Sequence, residues 1–122
     1  MKSLKIGVAS YAEMKARTKA IASGKLKPKA GEPKIWFTSP ESFARVMSNK
    51  NRALLAEIVA TAPASLAELA EQTGREPSNL SRTLKTMEHY GFVRLHRGAR
   101  GRIRPEVPFR EITLELNISH EG

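Results

Sequence analysis

Between Ser65 and Arg104 the chain has little freedom in the local structure it can adopt. Ser65-Leu66-Ala67-Glu68 places a serine and a glutamate three residues apart at the head of an apolar-periodic run, so that each side chain can satisfy a free backbone amide at a helix start. Leu66, Leu69 and Ala70 fall on one side of that helix. Thr73-Gly74 ends it, glycine taking the left-handed conformation of a helix terminus. Pro77 suits the first turn of a second helix, which runs to His89-Tyr90 and closes at Gly91. Glu76, just before it, is a mediocre capping residue. Phe92 to His96 then alternates as a strand, Arg97-Gly98-Ala99-Arg100-Gly101 turns, and Arg102 to Val107 returns.

A capped short helix, a glycine turn, a second helix and a trailing basic hairpin follow the order of a winged helix-turn-helix, which lays its second helix in a DNA groove. The second helix is patterned for that use. At 100° per residue Leu80, Leu84 and Met87 form one stripe. Ser78, Arg82, Lys85 and His89 lie opposite, with Asn79 and Ser81 on the flanks. Arginine can bond guanine with two donors, asparagine can do the same with adenine, and serine can bond either. Lysine and the hairpin cations Arg97, Arg100 and Arg102 suit phosphate. An isolated amphipathic helix with such a face would be an ordinary solvated helix. The hairpin and the capped helix before it favour the DNA reading.

Charge agrees. Among 122 residues the formal net charge is +9, with 21 Lys and Arg against 12 acids. Lys2, Lys5, Lys15, Arg17, Lys19, Lys25, Lys27, Lys29 and Lys34 load the first third, and Arg94, Arg97, Arg100, Arg102, Arg104 and Arg110 the late segment. Two separated basic regions suit a protein that grips a polyanion at more than one place. The N-terminal lysines either extend that footprint or keep an arm soluble. There is no cysteine, so disulfides and thiolate metal sites are excluded. Aspartate is also absent, His89, His96 and His120 are the only imidazoles, and no catalytic motif appears, so an enzyme is not expected. No cofactor or metal is implied. No apolar run approaches a membrane span and no signal peptide is legible, so a cytoplasmic location is expected.

Before Ser65 the signals are shorter. Leu4, Ile6 and Val8 alternate weakly as a strand, Ser10 can cap a helix over Tyr11–Ala22, and Lys25 to Pro33 reads as a linker. Lys34 to Thr38 is a short strand. Its Trp36 serves either as a base-stacking platform or, more in keeping with a lone tryptophan before a helix, as a packing or dimer anchor. Ser39-Pro40-Glu41 opens a helix burying Phe43, Val46 and Met47, and Asn51 to Ala62 forms another with Leu54, Leu55, Ile58 and Val59 on its stripe, stopped by Pro63. At the far end Ile112, Leu114, Leu116 and Ile118 alternate with polar residues as a strand. It pairs either with Leu4-Ile6-Val8, its Glu111 and Glu115 answering Lys2 and Lys5, or with the hairpin. His89 is either a phosphate contact or a solvated capping residue, while His96 and His120 lack companions at ligand spacing.

The run Leu66-Ala67-Glu68-Leu69-Ala70, then Ser78-Asn79-Leu80-Ser81-Arg82-Thr83-Leu84-Lys85, then Met87-Glu88-His89-Tyr90-Gly91-Phe92-Val93 resembles the MarR/ArsR-type winged-helix transcriptional regulators. The basic N-terminal part and the Ser-Pro-Glu-Ser-Phe helix resemble a group of small antitoxin-like DNA-binding proteins. The first resemblance implies that Ser78, Asn79, Ser81 and Arg82 contact bases, Lys85 a phosphate, and Arg97, Arg100 and Arg102 the backbone or minor groove. The chain departs from these regulators in lacking long flanking dimerisation helices and sensing cysteines.

The expected fold is α+β, mainly α. A basic strand and helix with a linker occupy residues 1–33, a winged helix-turn-helix residues 34–110, and a strand for dimerisation residues 111–122. The expected function is sequence-specific binding of double-stranded DNA by a homodimeric transcriptional regulator, a repressor. The alternatives are an antitoxin that also binds a toxin protein, and an RNA-binding protein.

Overall fold

Strands from the start and the end of the chain lie side by side in the computed structural model, which describes residues 2–27 and 31–118. Lys29 and His120 fall outside them. The described residues form an α+β fold of five helices and five strands in two sheets. Two units result, one of Met1–Arg45 with Phe109–Gly122, the other Val46–Pro108. The chain thus divides elsewhere than at the boundaries expected after residues 33 and 110. The segment 34–45 and the last strand belong with the N-terminal part, because sheet pairing collects them there.

In the first unit strand β1 (Ser3–Val8) is central in a three-stranded sheet, between β2 (Ile35–Phe37) and β5 (Glu111–Leu116), both parallel to it. Helix α1 (Tyr11–Ala22) lies between β1 and β2 in sequence, giving a β-α-β crossover. Its start is a complete capping box: the Glu13 amide donates to Ser10 Oγ at 3.1 Å and the Ser10 amide to Glu13 Oε1 at 3.0 Å. The basic N-terminal extension thus supplies the central strand of a sheet, and the described part of the expected linker lies between α1 and β2, outside it.

Apolar alternation sets the register. Leu4, Ile6 and Val8 stand opposite Ile112, Leu114 and Leu116, and Ile6 and Val8 opposite Ile35 and Phe37. Ile6 and Phe37 are buried, and Phe43 of helix α2 (Pro40–Val46) packs edge-on against Phe37 at 5.5 Å. On the other face Gly7 lies under the Trp36 ring, where a Cβ would sit 2.5 Å from Cζ3. The Arg17 guanidinium lies 5.4 Å from the same ring and pairs with Glu32, so Trp36 is a packing anchor and not an open stacking platform.

The last strand does pair with the first, and not with the hairpin, but the expected charge pairs do not form. Ser3 faces Glu111, Lys5 faces Thr113 and Gly7 faces Glu115. Parallel pairing aligned on the apolar residues leaves the lysines and glutamates out of direct opposition.

The second unit holds α3 (Asn49–Thr61), α4 (Leu66–Thr73), α5 (Pro77–Tyr90) and the antiparallel hairpin of β3 (Arg94–Arg97) and β4 (Ile103–Glu106). Its core joins Leu54, Leu55 and Ile58 of α3, Leu69 and Ala70 of α4, Leu80, Leu84 and Met87 of α5, and Phe92, Val93 and Leu95. Val59, expected on the α3 stripe, is 39% exposed, and Leu66 is only half-buried. Burial of these apolar side chains accounts for the cohesion of this small unit. No single helix among the described residues is long and apolar enough to cross a membrane.

Candidate nucleic-acid interface

Helix α5 begins where a carboxylate holds it. Glu76 takes the N-cap position and accepts from the amides of Ser78 at 3.1 Å and Asn79 at 2.9 Å. It also accepts from the Ser78 hydroxyl at 2.5 Å. These bonds, the Ser78 hydroxyl foremost, and the charge of Arg82 hold the Glu76 carboxyl below the usual carboxylate range. A residue that looked mediocre as a cap is effective because Ser78 and the free amides converge on it. One helix earlier the glutamate of the capping box behaves differently. The Glu68 amide donates to Ser65 Oγ at 3.1 Å, yet the Glu68 carboxylate reaches past Ser65 to accept from the amide of Ala64 at 2.9 Å.

The two faces of α5 separate as the periodicity requires. Leu80 and Leu84 are fully buried and Met87 nearly so. Ser78, Asn79, Arg82, Lys85, Thr86 and His89 are at the surface, and Ser81 is half-buried on the flank. Asn79, Arg82, Thr86 and His89 are spaced 3, 4 and 3 apart along one ridge, and Lys85 stands beside it. The Ser78 hydroxyl is already spent on Glu76, which separates it from the other expected contacts. His89 packs edge-on to Tyr90 at 5.5 Å.

The hairpin sorts its cations by strand parity. Leu95 faces Pro105 and Arg97 faces Ile103, the side on which Leu95 and Pro105 are buried. Arg97 accordingly turns toward α5, where both guanidinium arms donate to the Glu88 carboxylate at 3.2 Å. That fork lowers the pKa of Glu88 and raises that of Arg97. Arg97 thus braces the hairpin on the helix while its side chain stays about half exposed, at 55%. The opposite side carries Arg94, His96, Arg104 and Glu106. His96 Nε2 and Glu106 Oε1 are 2.8 Å apart, and that bond, with nearby Arg94 and Arg104, depresses the Glu106 pKa.

At the tip the Gly98 amide donates to Arg102 O at 2.8 Å and the Arg102 amide to Ala99 O at 3.2 Å. Arg100, exposed at the apex, occupies the left-handed region, φ 59°. Neither Arg100 nor Arg102 has a side-chain hydrogen bond or ion pair among the described residues. Sequence reasoning counted Arg94 and Arg104 in the basic late segment but not as contacts, although strand parity counted outward from the Gly98–Gly101 turn would have placed them on the open face.

Between α4 and α5 lies Arg75, whose Nη2 is 3.4 Å from Thr83 Oγ1 and whose Nη1 is a buried donor without a protein partner. It too was missed, since a lone arginine in a turn carries no periodic signal. No cluster of His, Cys, Asp or Glu that could hold a metal occurs among the described residues.

Comparison with curated proteins and with solved structures gives no match. The HVO_A0114 family model matches residues 46–114, from the end of α2 through α3, α4, α5 and the hairpin into β5. That is more than half of the chain, which therefore belongs to the HVO_A0114 family.

Proposed function

We propose that α4, α5 and the β3–β4 hairpin act as a winged helix-turn-helix of the MarR/ArsR type. In this reading the protein is a sequence-specific double-stranded DNA-binding regulator of transcription, a repressor acting as a homodimer. One observation carries the reading. Asn79, Arg82 and Lys85 stand on the open α5 face opposite buried Leu80, Leu84 and Met87, next in sequence to a hairpin that exposes Arg94, Arg100, Arg102 and Arg104. Amide and guanidinium donors suit base edges, and the hairpin cations suit phosphates on either side. The net charge of +9 supports a polyanionic partner.

Enrichment of a random duplex pool on the immobilised protein tests this. A converged site bound about 10³-fold or more tighter than random duplex is expected. Failure of the pool to converge, or tighter binding to structured RNA than to any selected duplex, would overturn it.

A further inference from the structure

Strand β5 is an edge with an unfinished apolar face. It pairs with β1 on one side and, among the described residues, with no strand on the other. Whereas Ile6 in β1 is fully buried, Leu114 is 40% and Leu116 54% exposed, and Ile118 beyond the strand is fully so. An open edge bearing uncovered leucines invites another strand.

The sequence of the strand identifies which strand fits. Two antiparallel copies related by a two-fold axis normal to the sheet keep their apolar side chains on one face only when the residue numbers of each facing pair sum to an even value. Centred on Thr113, the pairing sets Glu111 against Glu115 twice, and centred on Glu115 it sets glutamate against itself. Both oppose like charges across the ladder.

Centred on Leu114, every pair is compatible. Leu114 meets its mate, Ile112 meets Leu116, Thr113 meets Glu115, and Glu111 meets Asn117. Each glutamate, an acceptor only, then faces a hydroxyl or amide donor. Glu111-Ile-Thr-Leu-Glu-Leu-Asn117 is therefore self-complementary about its middle residue.

We propose that β5 of one chain pairs antiparallel with β5 of a second copy, Leu114 on the two-fold axis. The two three-stranded sheets become one six-stranded sheet with the leucines of both copies in line. This pairing rests on the homodimer of the reading above and gives it an interface; it does not depend on DNA binding, and it is tested without DNA.

Mass in solution, by sedimentation across a range of concentrations, is expected to report a dimer. Leu116→Glu, which sets a charge against Ile112 of the second copy, is expected to shift it to monomer, with far-UV circular dichroism unchanged. Because the chain has no cysteine, Leu114→Cys places one thiol on the axis. A short bis-maleimide should then link the copies many-fold faster than it links a Thr61→Cys control at an exposed position of α3. A monomeric parent protein, a dimer that survives Leu116→Glu, or equal linking of the two cysteine variants would each overturn the proposal.

Discussion

Arg82 is the arginine on the open α5 face, and the Glu76 carboxylate at the helix cap lies within reach of its charge. In the proposed reading Arg82→Ala costs about 1–3 kcal/mol on a selected DNA site and much less on random duplex. Binding titrations on the two duplexes distinguish this from equal weakening on both, which would make Arg82 a phosphate ligand. Ser78→Ala has a different expected signature. Its hydroxyl serves Glu76, so the variant weakens the cap and leaves base preference intact. Residue types and helical spacing were enough to place Asn79, Arg82 and Lys85 on an open face. The private bonds of Ser78 and Arg97 were not readable, because they depend on which acid lies within reach after folding. Glu76 is two residues from Ser78, but Glu88 is nine from Arg97, across a helix end and a strand.

For the elements, the punctuation of the chain was its most legible property. Ser10, Ser65 and Pro77 open helices and Gly74 and Gly91 close them in the left-handed region, since caps are local chemistry. Val59 was misplaced because a 3.6-residue stripe is wider than the surface its partners cover. The hairpin is two-sided, and its sides are expected to respond differently. Replacing Arg100 and Arg102 with alanine should weaken all duplexes alike. The slope of log affinity against log salt should fall by about 0.9 for each phosphate that is no longer neutralised. Arg97→Ala should leave that slope unchanged and lower the thermal midpoint, because its partner is Glu88. A slope unchanged by the double variant would remove the hairpin from the interface. In the first unit, Gly7→Ala forces a methyl into the Trp36 ring. A destabilisation of about 1–3 kcal/mol is expected in denaturant unfolding. Trp36→Leu in the same background should restore part of it.

Over the whole molecule, three acids anchor structure by staying ionised: Glu76 at the α5 cap, Glu88 under Arg97, and Glu106 beside His96. Each has a folded-state pKa below its unfolded one. Their stabilisation is therefore complete above the ordinary carboxylate range and is lost as pH falls through the lowered values. The thermal midpoint should drop as neutral solution is acidified past about pH 4, and drop less in a Glu76→Gln, Glu88→Gln variant. Equal acid sensitivity in parent and variant would show that these bonds do not hold the fold. The parallel direction of the sheet was the least legible feature at this scale, since apolar alternation offered β1 and β5 as partners without saying which way they run. That pairing also orders events in time. During synthesis β1 leaves the ribosome first, yet it cannot gain its β5 neighbour until residues 46–108 have followed. Those residues contain all the strands and helices of their own unit. The later-made unit is thus free to fold first, while the earlier-made one waits with Ile6 short of a neighbour. Closing the long loop between β1 and β5 has to wait for the strand that comes last, and while it waits the uncovered edge of β1 is open to chaperones and to aggregation.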